Sequence, residues 1–466
     1  MTYIPLIGGH VMQFEQIKME LLAFLTPEQV SDNAIIREQH GQDESYHTPA
    51  LPDLVVFPRT TQEVSDILKI ANAYEVPVIP FGRGSSLEGH IIPYNGGISI
   101  DFNEMNAILA IEPENLLVKV QPGVTRSELN QALKKHGLFF SVDPGADASL
   151  GGMAATNASG TTAVRYGGMR DQVRDLEVVL ANGDIIHTGN SAAKSSSGLH
   201  LNGLFVGSEG ILGCITELTL RVYGIPEHEV AGRAVFASTD VAVQAVTAIK
   251  HAGIPIGRVE LVDPASIRTV NHYSETDYPE QPTLFLEFHG NEAGLQQDIE
   301  FATEILQDFG CDQIQFEKDT AARNQLWNAR HNLAYAFIHA NPGKKLMSTD
   351  VCVPINELAN AIEFARRELE VSGLIGGLTG HVGDGNFHAL IMIDLKNVED
   401  ITHAQQYNKK IVEYALSIGG TCTGEHGVGI GKMMYQQQEH GNALQVMKAI
   451  KLALDPKNIM NPNKLL

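Results

Sequence analysis

Between residues 141 and 168 the chain is dense in Gly, Ala, Ser, Thr and Asn and shows little hydrophobic periodicity. Such a tract has no apolar stripe to bury, so it reads neither as an amphipathic helix nor as a half-buried strand. Ordering it is also costly, because glycine loses more backbone freedom on folding than any other residue. A compact fold therefore has to hold this tract against something that benefits from small side chains, and a large ligand lying along the backbone is one such thing.

A shorter glycine segment lies upstream. Residues 54–80 read as β–α–β. Leu54-Val55-Val56-Phe57 is an apolar strand ended by Pro58, and Thr60 with Glu63 has the capping-box pattern of a helix start. Val64, Ile67, Ile70, Ala71 and Tyr74 keep helical spacing up to Pro77, where Val78-Ile79 begins a second strand. That strand runs into Phe81-Gly82-Arg83-Gly84-Ser85-Ser86, whose backbone N–H groups could approach a pyrophosphate. A tight turn accounts equally well for this loop in isolation. A nicotinamide-type GxGxxG fails because Leu87 stands at the third glycine position, and no GxxxxGK[ST] loop occurs. A second capping pattern, Thr125 with Glu128, starts a helix ending near Gly137, and strand character returns over 204–222 around Gly207-Ser208-Glu209-Gly210.

Taken in order, PFGRGSS, DPGADASLGGMAATNASGTTAVRYG and GSEGILGCIT resemble the PCMH-type FAD-binding domain of the vanillyl-alcohol-oxidase superfamily. The resemblance implies two α+β subdomains with FAD stretched between them. It assigns Gly82, Arg83, Gly84, Ser85 and Ser86 to the phosphates, and Pro144, Gly145, Gly152, Asn157, Ser159 and Gly160 to the ribityl and ring region. Glu209 and Ile215 would approach the adenine end or the ring through their backbone. The first loop has no histidine to carry a covalent flavin, so noncovalent FAD is expected.

A third segment is His381-Val382-Gly383-Asp384-Gly385-Asn386-Phe387-His388, followed by an apolar run. Asp-Gly is a strong two-residue hairpin signal. A turn at Asp384 and Gly385 sets His381 directly opposite His388, with Cβ atoms about 5 Å apart, which suits two imidazoles on one ion. Two stacked structural histidines would give the same pattern. Glu425, in Gly424-Glu425-His426-Gly427, is the candidate third ligand of an open catalytic site. Zinc, manganese and iron all suit this donor set. HxGDGNxH together with GEHG resembles the C-terminal domain of FAD-linked D-lactate, D-2-hydroxyglutarate and glycolate dehydrogenases. There the histidine pair and the glutamate bind a divalent metal and the next histidine, here His426, is the catalytic base.

Arg330 lies three residues after Trp327 in an expected helix. A solvated surface arginine is the plain reading; the resemblance implies the arginine that takes the substrate carboxylate. Ser348 stands where relatives acting on hydroxyglutarate carry a lysine, which favours a monocarboxylate, although Lys344 and Lys345 are close by.

Composition sets the outer limits. A formal net charge of −22 repels nucleic acid and anionic membrane. Four widely spaced cysteines without a CxxC pair read as reduced thiols. The N-terminus has neither signal-peptide nor transit-peptide character, and no apolar run approaches the ~20 residues of a membrane span. A cytoplasmic protein is expected, with peripheral contact with the inner membrane left open.

At 466 residues, two domains are expected. Residues 1–225 would form the FAD domain and 226–466 an α+β substrate domain, or cap, with an antiparallel sheet. The last ~25 residues would pack back on the FAD domain. The implied activity is oxidation of a small D-2-hydroxyacid, foremost D-lactate, with electrons passed to a quinone, a cytochrome or an electron-transfer flavoprotein. Two alternatives stand beside it: a glycolate or D-2-hydroxyglutarate dehydrogenase, and, from another class, a metal-dependent hydrolase with a nucleotide-binding module.

Overall fold

The computed structural model describes residues 7–466. The expectation that no leader begins the chain falls partly on residues 1–6, outside the described residues. The fold is α+β throughout, with three principal sheets.

The first sheet contains the expected β–α–β. Strands Leu54–Val56 and Val78–Phe81 flank the helix Thr61–Tyr74. They are parallel but not neighbours, because Ile98–Asp101 lies between them and pairs in parallel with both. The Thr60 hydroxyl accepts the Glu63 N–H at 3.2 Å. The capping box expected there is only half made, since the Glu63 carboxylate reaches one residue further back to Arg59 N at 2.6 Å. At Thr125 and Glu128 both reciprocal bonds form, at 3.2 and 2.9 Å. The first glycine loop leaves the carboxyl end of Val78–Phe81, the end where ligands bind in sheets with parallel strands.

The second sheet is antiparallel and contains Leu117–Val120, Cys214–Arg221 and Val173–Val179 at its centre. Strand structure therefore resumes only at Cys214. The first two residues of the expected 204–222 stretch end a short helix, Leu201–Phe205, and the glycines at 207 and 210 turn the chain with φ of 83° and 75°.

The third sheet is antiparallel and large, with Gln313–Glu317, His228–Val235, Thr283–Gly290, Ile256–Val262, Ile375–Gly380, Asn386–Ile393 and Lys345–Ser348 in spatial order. Alternation along a strand sends successive side chains to opposite faces. Val259, Leu261, Leu284, Leu286, Phe288, Phe387, Ala389 and Ile391 join one core with the long helices 239–251, 292–308, 358–372 and 398–417. The opposite face carries Val262, Phe285, Leu390 and Met392, covered by helices 264–274, 320–331 and 333–340. The same parity puts Arg258, Glu260, Glu287, His289 and His388 on this second face. It meets the glycine-rich tract, where Arg165 donates to Pro255 O and His289 O at 2.7 and 3.0 Å.

The C-terminus returns to the first sheet. Val78 N donates to Ile459 O at 2.8 Å and Asn461 N to Val78 O at 2.7 Å, with Ile459 and Met460 in that sheet's core.

Candidate active site

The histidine hairpin has a different register from the one its Asp-Gly suggests. Thr379, not His381, pairs with His388, and residues 381–385 form a longer turn closed by Asp384 N to His381 O at 2.9 Å. The reason is packing around the turn. Gly385, at φ 84°, lies where a Cβ would meet Val353 O at 2.2 Å, so the loop is shaped against that neighbour rather than as a free two-residue hairpin. The shift is by two residues, and an even shift keeps each side chain on its face. His381 and His388 still meet, diagonally, with ring centroids 5.4 Å apart.

Their ring nitrogens are sorted. His381 Nδ1 faces Glu260 Oε1 at 2.6 Å, and His388 Nδ1 faces Thr349 O at 3.0 Å. Both Nε2 atoms point to one carboxylate oxygen, Glu425 Oε1, at 3.1 and 3.3 Å. Donation of Nδ1–H to a carboxylate or a carbonyl fixes the tautomer whose Nε2 lone pair is free to ligate, the arrangement typical of metal-ligating histidines. Burial disfavours a charged His381, but Glu260 and Glu425 outweigh it and hold its pKa well above the usual value. Burial likewise opposes the Glu425 carboxylate, and the two imidazoles outweigh that, holding it well below its usual range. These atoms form a pocket of negative potential that a divalent cation in the place of the proton would satisfy. By donor chemistry, spacing and supporting contacts, His381, His388 and Glu425 fit a zinc, manganese or iron ion.

His426 stacks on His388, with centroids 5.0 Å apart and rings 14° from parallel. Its Nδ1 is buried without a hydrogen-bond partner among the described residues, and burial pushes the imidazole down to about 4. Arg330 does not extend freely. Its Nε and Nη2 both donate to Glu260 Oε2, at 3.1 and 2.6 Å. Glu260 is fully buried and thus binds His381 with one oxygen and Arg330 with the other. A guanidinium has five N–H donors, so Arg330 keeps others for a second carboxylate. Trp327 is buried beside it, under the Arg258 guanidinium.

Asp350 escaped the sequence reading, although it organises the GEHG loop. Its Oδ2 accepts from Gly424, Glu425 and His426 N at 2.8, 2.9 and 2.9 Å and from Thr423 Oγ1 at 2.7 Å. The wholly buried Lys432 donates to Asp350 O at 2.8 Å and lies 3.3 Å from Glu88. Glu260 and Arg258 were also missed. Their signal was a pair of charges alternating with Val259 and Leu261 in an apolar strand.

Of the expected flavin-binding residues, Gly82 and Gly152 share one neighbour and Gly160 packs on Asp143. A Cβ on Gly82 would lie 2.6 Å from Ser149 Oγ and one on Gly152 3.1 Å from it, so the first loop and the second tract converge on one serine. Gly84 takes φ 69° and Asn157 φ 52°, while Ser86 is tied to Asp43 and Arg83 is exposed. Asp143 folds the tract back by accepting from Thr161 Oγ1 at 2.6 Å and Thr162 N at 3.0 Å. Pro144 and Gly145 are thereby set beside Ser159 and Gly160, whose Cβ would strike Asp143 O. The buried Ser141 Oγ in this tract has no hydrogen-bond partner among the described residues. Small residues that bring two loops together at Ser149, with Ser141 Oγ left over, suit the close approach of a long cofactor. Ile215 is nearly buried against Val178's strand, and the Glu209 carboxylate is turned toward the C-terminal loop.

A family model described as FAD linked oxidases, C-terminal domain, matches residues 225–465, and one described as FAD binding domain matches 52–189. The chain is 44% identical to a probable mitochondrial D-lactate dehydrogenase of Danio rerio, over 99% of this chain and 95% of the relative. It is 43% identical to a mitochondrial D-lactate dehydrogenase [cytochrome] of Arabidopsis thaliana, over 97% and 81%. With glycolate oxidase subunit GlcD of Bacillus subtilis it shares 35%, over 97% of each. The structure of p-cresol methylhydroxylase has the same fold, with a TM-score of 0.81 at 20% identity over 97% of this chain and 96% of that one. This chain belongs to the FAD-linked oxidase family and is an FAD-dependent oxidoreductase. Among the described residues no helix is long and apolar enough to cross a membrane.

Proposed function

We propose that this protein oxidises D-lactate to pyruvate, with residues 1–225 holding a noncovalent FAD and residues 226–466 holding the substrate and a divalent metal. The carrying observation is Glu260, which joins the ligand His381 to Arg330 and so sets a carboxylate-binding cation beside a cation-binding pocket. An α-hydroxyacid presents its hydroxyl and carboxylate on adjacent carbons and needs that pairing. When bound, the flavin supplies the acceptor for the C2 hydride and the ion supplies polarisation of the substrate's oxygens. Arg330 binds the carboxylate through the donors Glu260 leaves over. His426, held neutral by its burial, takes the hydroxyl proton. Both cations work locally, which is how an anionic substrate enters a protein of net charge −22.

The names of the relatives support D-lactate, and a cytochrome as the electron acceptor. Lys344 is engaged by Asp400 at 3.0 Å and Lys345 faces Glu44 at 3.9 Å, which supports a monocarboxylate over a dicarboxylate. Anaerobic stopped-flow mixing with D-lactate, L-lactate, glycolate and D-2-hydroxyglutarate tests the reading. D-lactate is expected to bleach the flavin fastest. Faster reduction by glycolate or hydroxyglutarate would reassign the substrate, and no reduction by any 2-hydroxyacid would refute the class.

A further inference from the structure

The GEHG loop is gripped at two ends by two buried carboxylates from different parts of the fold. Asp350, next to the third sheet, takes the N–H groups of Gly424, Glu425 and His426. Glu209, in the turn between helix Leu201–Phe205 and strand Cys214–Arg221 of the second sheet, takes those of Val428 and Gly429, at 2.7 Å on Oε1 and 2.8 Å on Oε2. Gly427 joins the two grips at φ 84°, where a Cβ would come 2.5 Å from His90 Nε2 and 2.8 Å from Glu209 Oε1. Five of six consecutive backbone N–H groups are thus committed to three oxygens of two carboxylates.

Burying a carboxylate is expensive unless its oxygens collect several donors. Glu209 meets that condition: burial raises its pKa, but His90 and the two N–H groups overcome this and leave it lowered. Its backbone is equally constrained, with φ 51° at Glu209 itself and Asn461 Nδ2 donating to Glu209 O at 2.8 Å. The next residue, Gly210, lies where a Cβ would meet Pro80 at 2.9 Å, in the strand that leads into the first glycine loop. A short, stiff path therefore runs from the phosphate-loop strand through Glu209 to the residue pair following His426.

We propose that Glu209 is a positioning residue for the reaction: it holds the His426 imidazole in place relative to the flavin-binding loops, as Asp350 holds it relative to the metal ligands. The inference rests on His426 acting as the base. Proton removal and hydride departure occur on one substrate carbinol, so the base has to be placed against both cofactor sites at once. A misplacement of about 1 Å costs about 10²-fold in rate.

The test uses the flavin- and metal-loaded protein with Glu209→Gln, Glu209→Asp and His426→Ala. For Glu209→Gln, flavin and metal content and D-lactate affinity should stay near wild type, and dithionite should reduce the flavin at the wild-type rate. Reduction by D-lactate, counted per bound flavin, should slow by about 10–10²-fold, with Glu209→Asp slowed less. Hydrogen exchange of the wild type should show the 424–429 amides protected like those of strand Asn386–Ile393, and Glu209→Gln should release 428–429 while 424–426 stay protected. A wild-type rate per bound flavin in Glu209→Gln, alongside a slowed His426→Ala, overturns the inference alone. Normal reduction in His426→Ala overturns the base assignment and the inference with it. Rapid exchange of 424–429 in the wild type overturns the inference whether or not the variants fold.

Discussion

Replacing Glu260 by Gln separates two roles that the fold has joined in one side chain. The carboxylate accepts from His381 on one oxygen and from Arg330 on the other, and it is fully buried. Glutamine keeps the shape but has only one acceptor oxygen. If that oxygen faces Arg330, the amide NH₂ meets His381 Nδ1 and forces the proton onto Nε2, which then cannot ligate. If it faces His381, the NH₂ opposes the guanidinium. Either way one buried donor loses its acceptor. Loss of a carboxylate supporting a metal-bound histidine typically lowers metal affinity about 10–100-fold, which is about 1.4–2.7 kcal/mol at 1.36 kcal/mol per tenfold. Truncation to Ala strands both partners and should cost about 3–5 kcal/mol of fold stability. Metal titration of the apoprotein gives the first quantity, urea unfolding the second, and the D-lactate dependence of flavin reduction reports Arg330. Glu260→Gln with wild-type metal affinity and wild-type D-lactate affinity would refute the argument that one carboxylate serves both sites.

Two other outcomes are expected. Chelation should abolish D-lactate turnover while the flavin stays bound, because the proposed ligands lie on the third sheet and its loops, away from the first glycine loop; His388→Ala should do the same, and activity in metal-free protein measured by elemental analysis would exclude the ion. Lys464 is buried, and burial pushes its ammonium down to about 8. The unfolded chain binds more protons between that value and ~10.4, so stability rises with pH across this window. Lys464→Met should abolish roughly 2 kcal/mol of that rise between pH 8 and pH 10, read from urea midpoints; an unchanged pH slope would refute the assignment.

Local chemistry alone specified a good deal of this protein. The Thr125–Glu128 cap and the β–α–β around Thr61–Tyr74 depend on neighbours within a few residues, and they formed as read. The facing of His381 and His388 was also legible, because strand parity survives an even slip in register. What local pattern did not determine were the partners that arrive from far along the chain. Ile98–Asp101 enters between two parallel strands, and the turn at Gly385 is shaped by Val353. In the site itself, the residue types at His381, His388, Glu425, His426 and Arg330 announced chemistry, but Glu260 and Asp350 looked like ordinary acidic residues, and Glu209 was expected to act only through its backbone. They acquire their roles only when burial removes water and leaves each carboxylate no acceptable state except one surrounded by donors. Those donors are 70 to 220 residues away in sequence, between Arg330 and Glu260 and between Gly429 and Glu209.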